Sequence, residues 1–85
     1  MEIELHRTFI KQFKKLPREI RNKFIERKNI FRLEPFHPLI HNHELSGEWI
    51  GHRSINITGD YRALFREEKG IIIFVSIGTH SELYD

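Results

Sequence analysis

At 85 residues, with 39% hydrophobic and 12% aromatic side chains, the chain can bury one small core and not two. The absence of cysteine excludes a disulfide scaffold and a thiolate zinc site. A formal net charge of +2 hides a lopsided distribution, because residues 7–32 carry ten Lys and Arg against two Glu, a net of +8, while residues 34–85 carry four against eight acids, a net of −4.

Residues 2–5 alternate Glu, Ile, Glu, Leu, which predicts a short strand with Ile3 and Leu5 facing inward. Phe9, Phe13 and Leu16 then recur at helical spacing and leave Lys11, Lys14 and Lys15 outside, with Thr8 in position to cap the start. Pro17 suits the first turn of a second helix, whose stripe of Ile20, Phe24 and Phe31 is interrupted around Arg27 and Lys28. That helix is expected to end near Leu33, before Glu34-Pro35-Phe36-His37-Pro38.

The period then changes to two. Arg53, Ile55 and Ile57 alternate with His52, Ser54 and Asn56, as in a strand with one wet face. Thr58-Gly59-Asp60 marks a turn into a returning strand from Tyr61 to Arg66. A second turn at Glu67 to Gly70 leads to Ile71–Ile77, a β-branched run expected to be a central strand, with a short tail from Ser81 to Asp85. The expected order is β-α-α-β-β-β, an α+β fold of one domain over residues 1–85. The N-terminus is acidic and no apolar run exceeds Ile71 to Val75, so a cytoplasmic location with no membrane contact is expected.

Six histidines stand out, four of them (His37, His41, His43, His52) within sixteen positions. His41 and His43 are two apart and project to one side of an extended segment, yet no further ligand at a familiar spacing supports a metal site, and no cofactor is expected. Asp60 sits where Asp often caps turn donors, Arg53 and Arg62 flank that turn, and Gly78-Thr79-His80-Ser81 ends the last strand. The basic run over residues 7–32 could meet a polyanion or remain a solvated helix face. Composition and spacing leave each of these residues open between a functional and an ordinary structural role.

Two segments, Arg53-Ser54-Ile55-Asn56-Ile57-Thr58-Gly59-Asp60-Tyr61-Arg62-Ala63-Leu64-Phe65 and Ile77-Gly78-Thr79-His80-Ser81-Glu82-Leu83-Tyr84, resemble the paired core signatures of RelE/ParE toxins. Asn42-His43-Glu44-Leu45-Ser46-Gly47-Glu48-Trp49 resembles the preceding loop of the YafQ-like branch, and Phe13-Lys14-Lys15-Leu16-Pro17 the family's helical opening. The resemblance implies a helical hairpin packed on a twisted antiparallel sheet. It implies catalytic roles for His43, Asp60 and His80, with Arg62 where the RelE branch places a catalytic arginine. Tyr84 resembles an aromatic used near the substrate. The chain departs from the branch at Ser54, Asn56 and Ser76.

The implied activity is that of a type II toxin, a ribosome-dependent endoribonuclease that cleaves messenger RNA without a metal. Ribose 2′-OH attack needs a base, an acid and cations, and histidine can act as either proton carrier near neutrality. Arg62 and Arg53 would supply charge to the phosphorane, and Lys11, Lys14 and Lys15 would hold ribosomal RNA. The implied partners are the ribosome, messenger RNA and a cognate antitoxin, in a toxin–antitoxin hetero-oligomer. Two other readings fit the same fold: a ParE-like gyrase inhibitor that cleaves nothing, and an inactive antitoxin-binding module.

Overall fold

The computed structural model describes residues 1–84. Strand β1 (Glu2–Leu5) leads into helices α1 (Arg7–Lys14) and α2 (Arg18–Leu33), which form the expected hairpin. A 3₁₀ turn at Pro38–Ile40 precedes the two-residue strand β2 (His43–Glu44), and another at Gly47–Trp49 precedes β3 (Arg53–Asn56). Strands β4 (Tyr61–Glu68) and β5 (Ile71–Thr79) follow, and helix α3 (His80–Tyr84) closes the chain. No helix among the described residues is long and apolar enough to cross a membrane.

The five strands form one sheet in the order β1-β5-β4-β3-β2. From β2 to β5 it is an antiparallel meander, whereas β1 lies parallel to β5, with Leu5 opposite Phe74. The sheet is therefore mixed where the sequence suggested antiparallel pairing throughout. Side-chain period carries no strand direction; the helical hairpin takes the chain from β1 at one edge to β2 at the other, and the meander brings β5 back beside β1.

The helices bury their apolar stripes on this sheet. Phe9, Phe24, Phe31, Phe65 and Phe74 meet in one aromatic cluster, with Phe24 and Phe74 5.3 Å apart edge-on and Phe31 and Phe65 5.0 Å apart. Such pairs add about 0.5–1.5 kcal/mol each beyond burial. Phe65 pairs with Phe74 but Leu64 pairs with Ser76, so Val75 is an extra residue in β5. This bulge lets Phe74 and Ile77, three positions apart, both face the helices. Arg27 occupies the gap in the α2 stripe, mostly buried, with its Nε donating to the Ile57 carbonyl at 3.4 Å.

Other local expectations change. His6, not Thr8, caps α1, because its Nδ1 accepts the Thr8 backbone N–H at 3.1 Å. Leu5 is 37% exposed, since β1 is an edge strand and only Ile3 packs against the core. Ser54 is fully buried rather than wet, and the presumed tail is helical from His80. The second hairpin turn is Lys69-Gly70, both with positive φ (52° and 82°), the backbone of a tight two-residue connection.

Candidate active site

The sheet register gathers chemistry on the end of the sheet remote from β1. His43 pairs with Ser54, Asn56 with Arg62, Arg62 with Gly78, and Tyr61 with Thr79, immediately before α3. A cleft of about 440 Å³ results, walled by His41, His43, Asn56, Arg62, His80 and Tyr84, with Leu45 and Ser46 at one side.

The Nδ1 of His43 lies 2.9 Å from the His41 carbonyl, which can only accept, so the bond favours the tautomer of the neutral ring that carries its proton on Nδ1 and leaves Nε2 as the free nitrogen. His41 has a left-handed backbone (φ 44°, ψ 57°), unusual for a residue with a Cβ, and its ring lies 4.7 Å from that of His43, tilted by 39°. Arg62 is anchored by Nη1, which donates to the carbonyls of Thr58, Gly59 and Tyr61 at 3.0–3.2 Å. Its Nε and Nη2 have no protein acceptor among the described residues, so the guanidinium is fixed yet retains donors for an anion.

His80 is the first residue of α3, exposed, with its ring 4.7 Å from that of Tyr84. Its backbone N–H donates to the Asp60 carbonyl at 3.0 Å, tying the hairpin tip to the helix start. A reciprocal cap holds the same junction: Glu82 accepts from the Thr79 N–H at 2.7 Å while Thr79 Oγ1 accepts from the Glu82 N–H at 3.3 Å. The Thr79 N–H bond holds the Glu82 carboxyl below the usual carboxylate range. Gly78 makes room for the turn, since a Cβ there would lie 3.1 Å from Glu82 Oε1. On the far side Trp49 Nε1 donates to the Leu83 carbonyl at 3.0 Å, pinning the end of α3.

His43, Arg62, His80 and Tyr84 thus line one cleft. Asp60 does not join the cleft wall; its side chain is exposed at the hairpin tip, and the turn donors Asp60 N and Tyr61 N are capped by Thr58 Oγ1 instead. Arg53 lies elsewhere, because strand alternation gives it the parity of Ile55, not of Asn56. Its Nε donates to Asn42 Oδ1 at 2.8 Å, its Nη1 is 4.0 Å from Glu44, and its guanidinium stacks 5.4 Å from the Phe36 ring. It clamps the loop that leads into β2. Lys11, Lys14 and Lys15 are exposed on or just after α1.

Sequence reasoning missed Asn56 as a wall residue. The side-chain oxygens of Asn56 and Tyr84 are buried with no hydrogen-bond partner among the described residues. The Thr79-x-x-Glu82 cap was readable as a helix start. Among the described residues no group of three or more His, Cys, Asp or Glu side chains could hold a metal ion.

The whole chain, residues 1–85, matches the family model described as the bacterial toxin of type II toxin–antitoxin systems, YafQ. Among solved structures, YafQ from E. coli strain BL21(DE3) superposes with a TM-score of 0.83 at 20% identity over 99% of this chain and 98% of that one. YafQ in the E. coli DinJ–YafQ toxin–antitoxin complex gives 0.81 at 22% identity over 99% and 97%. A YoeB/ParE toxin from Agrobacterium tumefaciens gives 0.76 at 18% identity over 94% and 99%. No curated relative matches in sequence. The fold is that of the RelE/ParE superfamily, and the chain belongs to the YafQ family of type II toxin–antitoxin toxins.

Proposed function

We propose that this toxin is a ribosome-dependent endoribonuclease that cleaves messenger RNA by acid–base catalysis with its own side chains. The observation that carries this reading is the meeting of two histidines and an anchored arginine in one cleft. Nε2 of His43 takes the proton of a ribose 2′-OH, whose oxygen attacks the adjacent phosphorus. His80 protonates the departing 5′-oxygen, leaving a 2′,3′-cyclic phosphate and a free 5′-hydroxyl. Each positioned proton transfer is typically worth ~10² to 10⁴ in rate. The free N–H groups of Arg62 stabilise the equatorial oxygens of the phosphorane, where charge develops.

Asn56 and Tyr84 present unfilled polar atoms, each costing about 1–3 kcal/mol while unpaired, which substrate contact would relieve after a small adjustment of α3. Asp60 serves the acid through the backbone bond to His80 rather than as the base. The basic helices hold ribosomal RNA through its phosphates, adding affinity without reading sequence. A cognate antitoxin blocks the toxin in a hetero-oligomer, as the DinJ–YafQ complex illustrates for its own pair. Primer extension on ribosome-engaged message tests the activity: new 5′ ends with the wild type and none with His80→Ala support it, and no new ends with the wild type refute it.

A further inference from the structure

We propose that a second cavity, between α1 and α3, binds one nucleotide of the RNA strand that continues from the catalytic cleft. The proposal deepens the nuclease reading and rests on it. The cavity measures about 340 Å³, within the roughly 300–1,000 Å³ of small-molecule sites. Its wall includes one lysine, Lys15, and two aromatic residues, Trp49 and Tyr61. A cation beside aromatic faces is the pattern that holds single-stranded nucleic acid, phosphate on the charge and base on the ring.

The polar groups of this wall are ordered for such a ligand. Beyond Leu5 strand β1 no longer covers β5, and the side chain of Gln12 takes its place: Oε1 accepts from the Ile77 N–H at 2.8 Å and from Ser76 Oγ at 3.2 Å. With its oxygen occupied, Gln12 has only its Nε2 donors left, and they have no acceptor among the described residues. Trp49 is fixed by its bond to the Leu83 carbonyl, and Lys15 is in no ion pair among the described residues. Glu82 also lines the cavity, and its carboxylate is engaged by Thr79. That negative charge near α3 repels phosphate, which places the phosphate at the Lys15 end and the base toward the rings.

A smaller depression of about 130 Å³ stands between the cavity and the catalytic cleft. Walled also by Glu48, it shares Trp49 and Leu83 with the cavity and Ser46 and Tyr84 with the cleft. A strand with its scissile phosphate at Arg62 would pass over this depression, along α3, to bring a flanking nucleotide to Trp49.

Trp49 is the sole tryptophan, so its fluorescence reports entry directly. The intact chain is titrated with a 2′-O-methyl RNA hexanucleotide, which binds but lacks the attacking hydroxyl. Saturable quenching is expected, weakened roughly threefold or more by Lys15→Ala at low salt with the salt slope reduced by about 1. Tyr61→Leu should weaken it at least ~5-fold, whereas Tyr61→Phe retains it. Absence of quenching, or quenching that Lys15→Ala leaves unchanged, overturns the proposal. Lys15 is exposed, so its variant decides the matter even if Tyr61→Leu folds poorly. Ribosomal cleavage by the wild type alongside either negative result overturns this subsite alone, and missing cleavage overturns the nuclease reading.

Discussion

The His41 carbonyl accepts the Nδ1 proton of His43 at 2.9 Å and leaves Nε2 free. The left-handed backbone of His41 aims that carbonyl, while its imidazole makes no hydrogen bond among the described residues. His41→Gly, which tolerates φ 44° freely, should therefore keep near-normal cleavage. His41→Pro, locked near φ −65°, should lose most of it. Single-turnover cleavage of ribosome-bound message for the two variants checks this, and equal rates would remove the orienting role.

Arg62 and Arg53 should separate cleanly. Arg62→Ala removes charge from the phosphorane and is expected to cut the cleavage rate by ~10² or more. Arg53→Ala breaks the bond to Asn42 and the stacking on Phe36, so it should cost about 1 kcal/mol of stability and little in rate once the folded fraction is matched. Thermal melts beside rate measurements distinguish the two.

The Thr79–Glu82 cap predicts a pH dependence of stability. The folded-state carboxyl of Glu82 is held below its ordinary 4.5, so its contribution is present above that value and lost as pH falls through the lower folded one. The melting temperature of Glu82→Gln should therefore fall below wild type at neutral pH and converge on it under acid conditions. Thr79→Ala should cost about 0.5–2 kcal/mol by removing the cap hydroxyl. A constant gap across pH would contradict the assignment.

Charge reversal of Lys11, Lys14 and Lys15 to Glu should weaken ribosome binding strongly and salt-dependently while the fold persists, because all three lie off the apolar stripe. Co-sedimentation with ribosomes at two salt concentrations measures it. Unchanged binding at moderate salt would leave these lysines as solubilising charges.

The helical hairpin and strands β3, β4 and β5 were legible because Phe9, Phe13 and Leu16, and then Ile20, Phe24 and Phe31, form one-sided stripes and Ile55, Ile57 and the Ile71–Ile77 run carry strand signals. The parallel pairing of β1 was not, since periodicity encodes which face is buried and not which way a strand runs. Nor was the fate of Arg53 and Asn56, whose roles depend on parity within a four-residue strand: one step along the chain exchanges the cleft for the opposite face. His43 and His80 were nominated by resemblance, and only the fold brings residues 37 positions apart to one cleft. Asp60 was nominated in the same way, and the fold joins it to His80 through its backbone carbonyl.

The measurement that tests the central claim most directly is cleavage of ribosome-bound message by His80→Ala and His80→Gln, with the melting temperature of each. His80 is exposed at the start of α3, with its ring beside that of Tyr84, so both variants should melt within a few degrees of wild type. As the proton donor its loss should cost ~10² to 10⁴ in single-turnover rate, about 3–5 kcal/mol of barrier. Near-normal cleavage by both folded variants would contradict the account.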